Sequence, residues 1–106
     1  MSSFSQLSTT TDNEEEALNL ARLLVEQRLA ACVQVVGPVK SVYRWEGEIE
    51  QTEEWVCLIK TREDLFEETK ELIEANHSYE VPEFLSIPII DGSEGYLQWL
   101  DSNLAE

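Results

Sequence analysis

A long β-rich stretch, "AACVQVVGPVKSVYRWEGEIEQTEEWVCLIK" (residues 30–60), constrains the fold more than any other part of the chain. Valine, isoleucine, tyrosine and tryptophan are frequent in both halves of it, and these residue types favour strands. Glu46-Gly47 lies between the halves and is expected to form a tight turn. The stretch therefore predicts a β-hairpin with arms well beyond the usual five or six residues.

Two short segments interrupt the pattern of this hairpin. Gly37-Pro38 lies within the first arm, and "EQTEE" (residues 50–54) lies within the second. Glycine and proline inside a strand often mark a bulge, where one strand has an extra residue. We therefore expect a bulge or bend in each arm.

The hairpin also predicts how far apart the two cysteines lie. If the arms pair directly across the turn, the numbers of opposed residues sum to about 93. Cys57 is then opposite Val36, and Cys32 is opposite Thr61. This separation disfavours a disulfide within one subunit. Cysteines in valine-rich strands are more often small core residues than metal ligands, and we expect both thiols to be reduced and largely buried.

The segment before the hairpin predicts a strand followed by a helix. "FSQLSTTT" shows weak alternation and ends in β-branched residues, as in a strand. "TDNEEE" then begins a helix, with Thr11 or Asp12 as the N-cap and a glutamate three positions further on. The spacing of alanine and leucine extends this helix to about Leu29.

The segment after the hairpin predicts a helix, a strand and a short last helix. "TREDLFEETKELIEAN" is the second helix, with Thr61 as the cap and Asp64 as its partner. "EFLSIPII" is a strand whose Pro88 cannot donate a hydrogen bond, so it is expected at a sheet edge or a bulge. Ser93 is expected to cap the last helix, "SEGYLQWLDSNL".

The order βαββαβ with a terminal helix predicts an α+β fold of the ferredoxin-like type, in one domain covering residues 1–106. Two helices on one face of a four-stranded sheet leave the other face uncovered. A long hairpin with aromatic residues also extends beyond its own sheet. Exposed aromatic area of this kind usually marks an interface, so we expect a partner.

Charge and composition exclude several classes of function. The formal net charge is −15, which disfavours nucleic acid and anionic membranes as partners. The beginning of the chain has neither a basic segment nor an apolar one, so no secretory signal is expected. No apolar run reaches the roughly 18 residues of a membrane helix. We expect a cytoplasmic protein.

Several motifs resemble the CutA family of divalent-cation tolerance proteins. They are "LAACVQVVGPVKSVYRWEGEIE", "LIKTREDLF", "HSYEVPEFLSIPIIDG" and "YLQWL", in this order. The resemblance covers roughly residues 12–104. It implies a ferredoxin-like subunit in a homotrimer, with hairpins that pair across subunits and a shape similar to PII signalling proteins. It also implies a role in tolerance of copper and other divalent cations.

The chain departs from the family pattern in two places. The first strand is polar, with Ser5, Gln6 and Ser8 where family members have an apolar run. Ser78 replaces the first proline of the family's H-P-Y-E-x-P segment. Loss of that proline is expected to cost about 0.5 kcal/mol of loop pre-organisation.

His77, Asn76 and Cys32 are the candidate metal ligands. Imidazole and thiolate suit copper or zinc, and the resemblance places Asn76 and His77 at positions implicated in copper binding. Asn76 is a poor ligand, however, and one histidine does not make a tight site alone. The alternative is a structural histidine near a helix C-terminus, where its imidazole stabilises the last carbonyls.

Six residues are candidates for a cleft between subunits: Tyr43, Trp45, Trp55, Tyr79, Glu80 and Glu83. The aromatic rings either stack on a small ligand or pack in the trimer interface. The two glutamates either serve as oxygen ligands or an acid/base pair, or fasten the loop, with Glu80 capping backbone N–H groups. No nucleophile elbow, phosphate loop or metalloprotease motif is present, so an enzyme is not expected.

The sequence thus predicts a homotrimer that binds copper or another divalent metal ion with modest affinity, without an organic cofactor. The alternative is a PII-like signalling or interaction module that binds a small molecule or protein at clefts between subunits. A cleft with fewer than three metal-type ligands would favour the alternative.

Overall fold

A computed structural model of the chain describes residues 3–106. Its elements follow the predicted order βαββαβ with a terminal helix. The elements are β1 (Phe4–Thr11), α1 (Glu14–Glu26), β2 (Cys32–Trp45), β3 (Glu48–Arg62), α2 (Phe66–Asn76), β4 (Leu85–Ile89) and α3 (Glu94–Ser102). A 3₁₀ turn, Glu63–Leu65, precedes α2. The α+β class is confirmed.

The four strands form one antiparallel sheet in the order β2-β3-β1-β4. Strand β1 is central and pairs with β3 on one side and β4 on the other. Strand β4 contains Pro88 and lies at an edge, as predicted, where a missing N–H is tolerated. This order leaves β2 at the opposite edge.

The hairpin of β2 and β3 turns at Glu46 and Gly47, whose φ angles are 49° and 83°. Positive φ at both central residues is the geometry of a type I′ turn, which matches the twist of the flanking strands. A glycine adopts such a φ without steric cost, whereas Glu46 does so with some strain. The tight turn therefore forms where the sequence predicts it.

The bulge predicted in the first arm is present, and the one predicted in the second arm is not. The register shifts between Val36 and Val39, so Gly37-Pro38 adds one residue to β2. Residues 50–54 of β3 continue in register without interruption. Because of the bulge, the predicted pairing of the cysteines is wrong by one residue: Val35 faces Cys57 and Lys60 faces Cys32.

The caps predicted for α1 and α2 are wrong, whereas Ser93 is the N-cap residue of α3, as predicted, although its side chain makes no capping hydrogen bond. The N-cap of α1 is Asn13, whose Oδ1 accepts a hydrogen bond from the backbone N–H of Glu16 at 2.8 Å. Thr11 still belongs to β1 and is buried. Thr61 belongs to β3, and its hydroxyl donates to the carbonyl of Leu29 at 2.6 Å. The first helix also ends at Glu26, a turn earlier than predicted.

The core lies between the sheet and the helices. Leu7 of β1, Ile59 of β3, Leu24 of α1 and Ile73 of α2 are fully buried in one cluster. On the other face of the sheet, Leu85 and Ile87 stay 56% and 57% exposed within the subunit. Burial on one side only matches the predicted uncovered face. No helix within residues 3–106 is both long and apolar enough to cross a membrane.

The outer hairpin, residues 39–54, extends beyond the core. The subunit measures 45 × 25 × 22 Å. Val42 and Ile49 near the tip are 65% and 68% exposed. The helices of the subunit therefore leave these apolar side chains uncovered.

Candidate functional site

A cleft of about 740 Å³ lies between the outer hairpin and the loop that follows α2. Its lining residues are Thr10, Ser41, Val42, Tyr43, Trp45, Glu54, Tyr79, Glu80, Val81, Pro82 and Glu83. Five of the six residues predicted for a cleft between subunits line this cleft within one subunit. The hairpin and the loop meet here because β3 brings Glu54 next to the end of β1, where α2 also ends.

Trp55 is the predicted cleft residue that the structure places elsewhere. Its ring packs against the hydrophobic core and is only partly exposed. Gly37 of the bulge lies directly against this ring, and a Cβ at that position would clash with the indole. Trp55 therefore packs against the bulge, and the absence of a Cβ on Gly37 permits the close approach of the indole ring.

Glu54 and Tyr79 form the central contact of the cleft. The Tyr79 hydroxyl donates to Oε2 of Glu54 at 2.7 Å, and Glu54 is only 6% exposed. Burial raises the pKa of Tyr79, and the hydrogen bond to Glu54 and the charge of that carboxylate raise the pKa further. The tyrosine hydroxyl thus remains a donor over the whole physiological pH range.

Glu54 was not predicted as a site residue, although the sequence contains a usable pattern. Side chains alternate along β3, so Thr52 and Glu54 share a face with Tyr43 on the paired strand. The Thr52 hydroxyl lies 3.4 Å from the Tyr43 hydroxyl, which is consistent with that shared face. Alternation from the turn would have placed Glu54 with the aromatic residues. Its burial depends on Tyr79, which no local pattern predicts.

The two predicted loop glutamates have different surroundings. Glu83 accepts a hydrogen bond from the hydroxyl of Ser8 at 3.2 Å. Among residues 3–106 no backbone N–H donates to Glu80, so the predicted capping role of Glu80 is wrong. Glu16 of α1 has that role: its carboxylate accepts from the backbone N–H and the hydroxyl of Ser78 at 2.9 and 3.0 Å.

Both nitrogens of His77 are engaged in hydrogen bonds. Nε2 lies 2.7 Å from the carbonyl oxygen of Thr10, and Nδ1 accepts from the backbone N–H of Tyr79 at 3.0 Å. These partners require the tautomer with the proton on Nε2. No lone pair of the imidazole is left for a metal ion in this conformation. His77 joins the end of α2 to β1 and to the loop.

The three candidate metal ligands do not come together within one subunit. Asn76 is exposed, and its amide donates to the carbonyl of Leu72 at 2.8 Å. Cys32 lies in line with Gln6 across the sheet, whereas His77 contacts Thr10. Four residues along β1 correspond to roughly 13 Å. Within residues 3–106, no three His, Cys, Asp or Glu side chains are grouped as metal ligands.

The two cysteines differ in their surroundings. Cys57 is fully buried beside α1, where its thiol lies 3.7 Å from the carbonyl of Ala17. Burial and, to a smaller extent, the charge of Glu16 raise the pKa of the Cys57 thiol to about 11. Both thiols are free. Cys32 is only partly buried on β2, which corrects the prediction that both cysteines are core residues.

Comparison with known proteins identifies a family. The family model described as "CutA1 divalent ion tolerance protein" matches residues 5–103. The divalent-cation tolerance protein CutA of Thermus thermophilus is 45% identical over 94 residues, which cover 89% of this chain and 91% of that protein. The chloroplastic protein CutA of Arabidopsis thaliana is 44% identical over 94 residues, and the chain spans only 52% of its length.

Solved structures agree with this match. The Thermus thermophilus divalent cation tolerance protein Cut A1 superimposes with a TM-score of 0.93 at 41% identity, covering 96% of this chain and 99% of that one. CutA1 from Oryza sativa gives a TM-score of 0.96 at 38% identity, covering 99% and 96%. The chain belongs to the CutA1 divalent ion tolerance protein family.

Proposed function

We propose that the chain acts in divalent-cation tolerance as a homotrimer of ferredoxin-like, PII-like subunits, without enzymatic activity. One observation carries the proposal of assembly: apolar side chains are exposed on both the outer hairpin and the uncovered face of the sheet. Val42, Ile49, Leu85 and Ile87 are each more than half exposed within the subunit. Apolar surface of this extent supports an interface, because burial in a partner removes it from water.

The proposed metal binding is of modest affinity and uses carboxylate oxygens. The name of the Thermus thermophilus relative refers to divalent cations, which supports a cation as the ligand of this chain. The net charge of −15 attracts copper or a similar divalent ion to the surface. Copper prefers nitrogen and sulfur ligands, and the single imidazole is engaged in the loop. Weak binding through oxygens is therefore the form we expect.

Native mass spectrometry with and without Cu²⁺ tests both parts of this proposal. We expect a mass near three times 12.2 kDa, and partial, dose-dependent copper loading that dilution reverses. A monomer at micromolar concentration contradicts the assembly. One tightly retained copper ion per subunit contradicts the carboxylate mode of binding.

The pair His77→Ala and Asn76→Ala tests the role of the histidine. His77→Ala removes two hydrogen bonds at the joint, so we expect a loss of roughly 1–3 kcal/mol in unfolding free energy and unchanged copper affinity. Asn76→Ala is the neighbouring control, because its side chain is exposed and makes one local contact. Thermal melts and copper titration by calorimetry measure the two effects. Weaker copper binding in His77→Ala alone would restore His77 as a ligand.

A second candidate function is a PII-like interaction module that binds a small molecule at the cleft. The specific observation in its favour is the aromatic cleft, which offers fewer than three grouped metal-type ligands within residues 3–106.

For the compartment we propose the cytoplasm, supported by the two free thiols.

A further inference from the structure

The cleft combines aromatic walls with a buried carboxylate. Tyr43, Trp45 and Tyr79 supply three rings, and Glu54 lies nine-tenths buried beside them. Oε2 of Glu54 accepts the Tyr79 hydroxyl. Oε1 of Glu54 takes no hydrogen bond from any residue in the described range 3–106. Tyr79 therefore holds Oε2 of Glu54 in place, while Oε1 is free for a ligand.

The charge of the cleft has a single sign. Glu54, Glu80 and Glu83 line it, and none of its lining residues is a lysine, an arginine or a histidine. A carboxylate with little access to water is costly without a cationic partner. The tyrosine hydroxyl offsets part of this cost without neutralising the charge. A ligand that complements this lining therefore carries a positive charge.

The aromatic walls determine which kind of cation fits. Rings bind an ammonium or guanidinium group through their negative faces, and they also bury its carbon skeleton. A hydrated metal ion prefers several converging oxygens instead. The volume of about 740 Å³ suits an organic molecule with a carbon body.

We propose that this cleft binds a small organic cation, with its ammonium or guanidinium group on Glu54 and its apolar body against Tyr43, Trp45 and Tyr79. This site is separate from the proposed weak binding of divalent metal ions, because it requires aromatic contact and one specific carboxylate. It also gives the second candidate function a class of ligand.

The probe for the test is phenethylammonium, and its neutral control is 2-phenylethanol, which has a similar carbon body. Titration into the ¹⁵N-labelled full chain in 150 mM salt is followed by amide shifts. We expect phenethylammonium to shift the amides of residues 43–45, 54 and 79–83 in a saturable way. We expect 2-phenylethanol to bind at least about tenfold more weakly, since it lacks the charge. Salt at this concentration screens general attraction to an acidic surface.

The matched variants are Glu54→Gln and Glu53→Gln. Both remove one negative charge from the same strand, but Glu53 is exposed and does not line the cleft. Glutamine at position 54 still accepts the Tyr79 hydroxyl, so the fold is preserved. We expect Glu54→Gln to weaken the probe about tenfold or more, and Glu53→Gln to change its affinity less than about twofold. Trp45→Leu is expected to weaken it about threefold or more.

Three results would overturn the proposal. Equal weakening by both glutamine variants would mean general attraction to an acidic protein. Equal binding of 2-phenylethanol would mean an apolar pocket without charge selectivity. Absence of saturable shifts in the cleft would mean that a second copy of the chain covers it. Copper loading does not depend on any of these results, so failure here and failure of the cation-tolerance proposal are distinguishable.

Discussion

Strand β1 and the outer hairpin invert the usual relation between polarity and burial. Strand β1 is one of the two inner strands of the sheet, and Ser5, Thr9 and Thr11 on it are almost completely buried. The outer hairpin is exposed, yet it carries Val42 and Ile49. Strand β1 thus has polar side chains buried at the core, and the outer hairpin has apolar side chains exposed to water.

The difference shows that position in the sheet, and not side-chain polarity, determines burial here. Strand β1 is buried because it pairs with β3 and β4 and because α1 covers it, so its backbone hydrogen bonds are satisfied on both sides. The outer hairpin has no covering element in its own subunit. Its apolar side chains therefore contribute little to the subunit and are available to the proposed trimer.

The largest expected effect comes from Leu7, the apolar exception on β1. Leu7 is fully buried in the core cluster, so Leu7→Ala leaves a cavity. We expect a loss of about 2–5 kcal/mol in unfolding free energy. Urea titration at fixed protein concentration measures it, with exposed Leu18→Ala as the control. A loss below about 1 kcal/mol would mean that β1 contributes only through its backbone.

The next effect separates assembly from subunit stability. Val42→Ser with Ile49→Ser removes apolar surface from the outer hairpin, and we expect trimer association to weaken about tenfold to a hundredfold. The control pair, Leu18→Ser with Val25→Ser, makes a similar change on the exposed side of α1. Sedimentation over a dilution series measures both. Equal effects of the two pairs would contradict a special role of the outer hairpin.

Smaller effects on stability, opposite in sign, are expected from substitution of two threonines on β1. Thr9 is fully buried and its hydroxyl has no hydrogen-bond partner among residues 3–106, so Thr9→Val is expected to stabilise by about 1 kcal/mol. The Thr11 hydroxyl donates to the carbonyl of Asn13 at 2.6 Å, so Thr11→Val is expected to destabilise by about 1 kcal/mol. Thermal melts of both variants compare them. Destabilisation by Thr9→Val would indicate that its hydroxyl has a partner.

The smallest effect is expected at the hairpin turn. Glu46 has a φ of 49°, a conformation that asparagine adopts more readily than glutamate. Glu46→Asn is expected to stabilise the hairpin by a few tenths of a kcal/mol, about 0.5 at most. Hydrogen exchange of the amides next to the turn is the measurement, because slower exchange reports fewer openings. Faster exchange would mean that the glutamate side chain supports the turn.

Much of the fold could be predicted because its patterns are local. The tight turn, the bulge at Gly37-Pro38 and the edge position of Pro88 each follow from the backbone chemistry of two or three residues. The cap predicted for α1 was wrong because Thr11, Asp12 and Asn13 are all suitable cap residues in sequence. The extension of β1 through Thr11 decided among them. That extension depends on pairing with β3, which lies far away in the chain.

The cleft was predicted in part for a similar reason. Tyr43 and Trp45 were found because aromatic residues on a long hairpin are conspicuous, and Tyr79 lies in a distinctive loop. Glu54 was missed because it is one of 22 acidic residues, and strand alternation places it on the aromatic face without indicating that it is buried. Its contact with Tyr79 joins positions 25 residues apart.

The sequence by itself determined the order of elements, the length of the hairpin and the membership of a family. These follow from side-chain periodicity, turn chemistry and motif order. Only the tertiary structure decided that both nitrogens of His77 are hydrogen-bonded and that Glu54 is buried beside Tyr79. The physical reason is that hydrogen bonds are short and directional, so they depend on strand register and loop path. A bulge of one residue changes that register, whereas the composition of the chain stays the same.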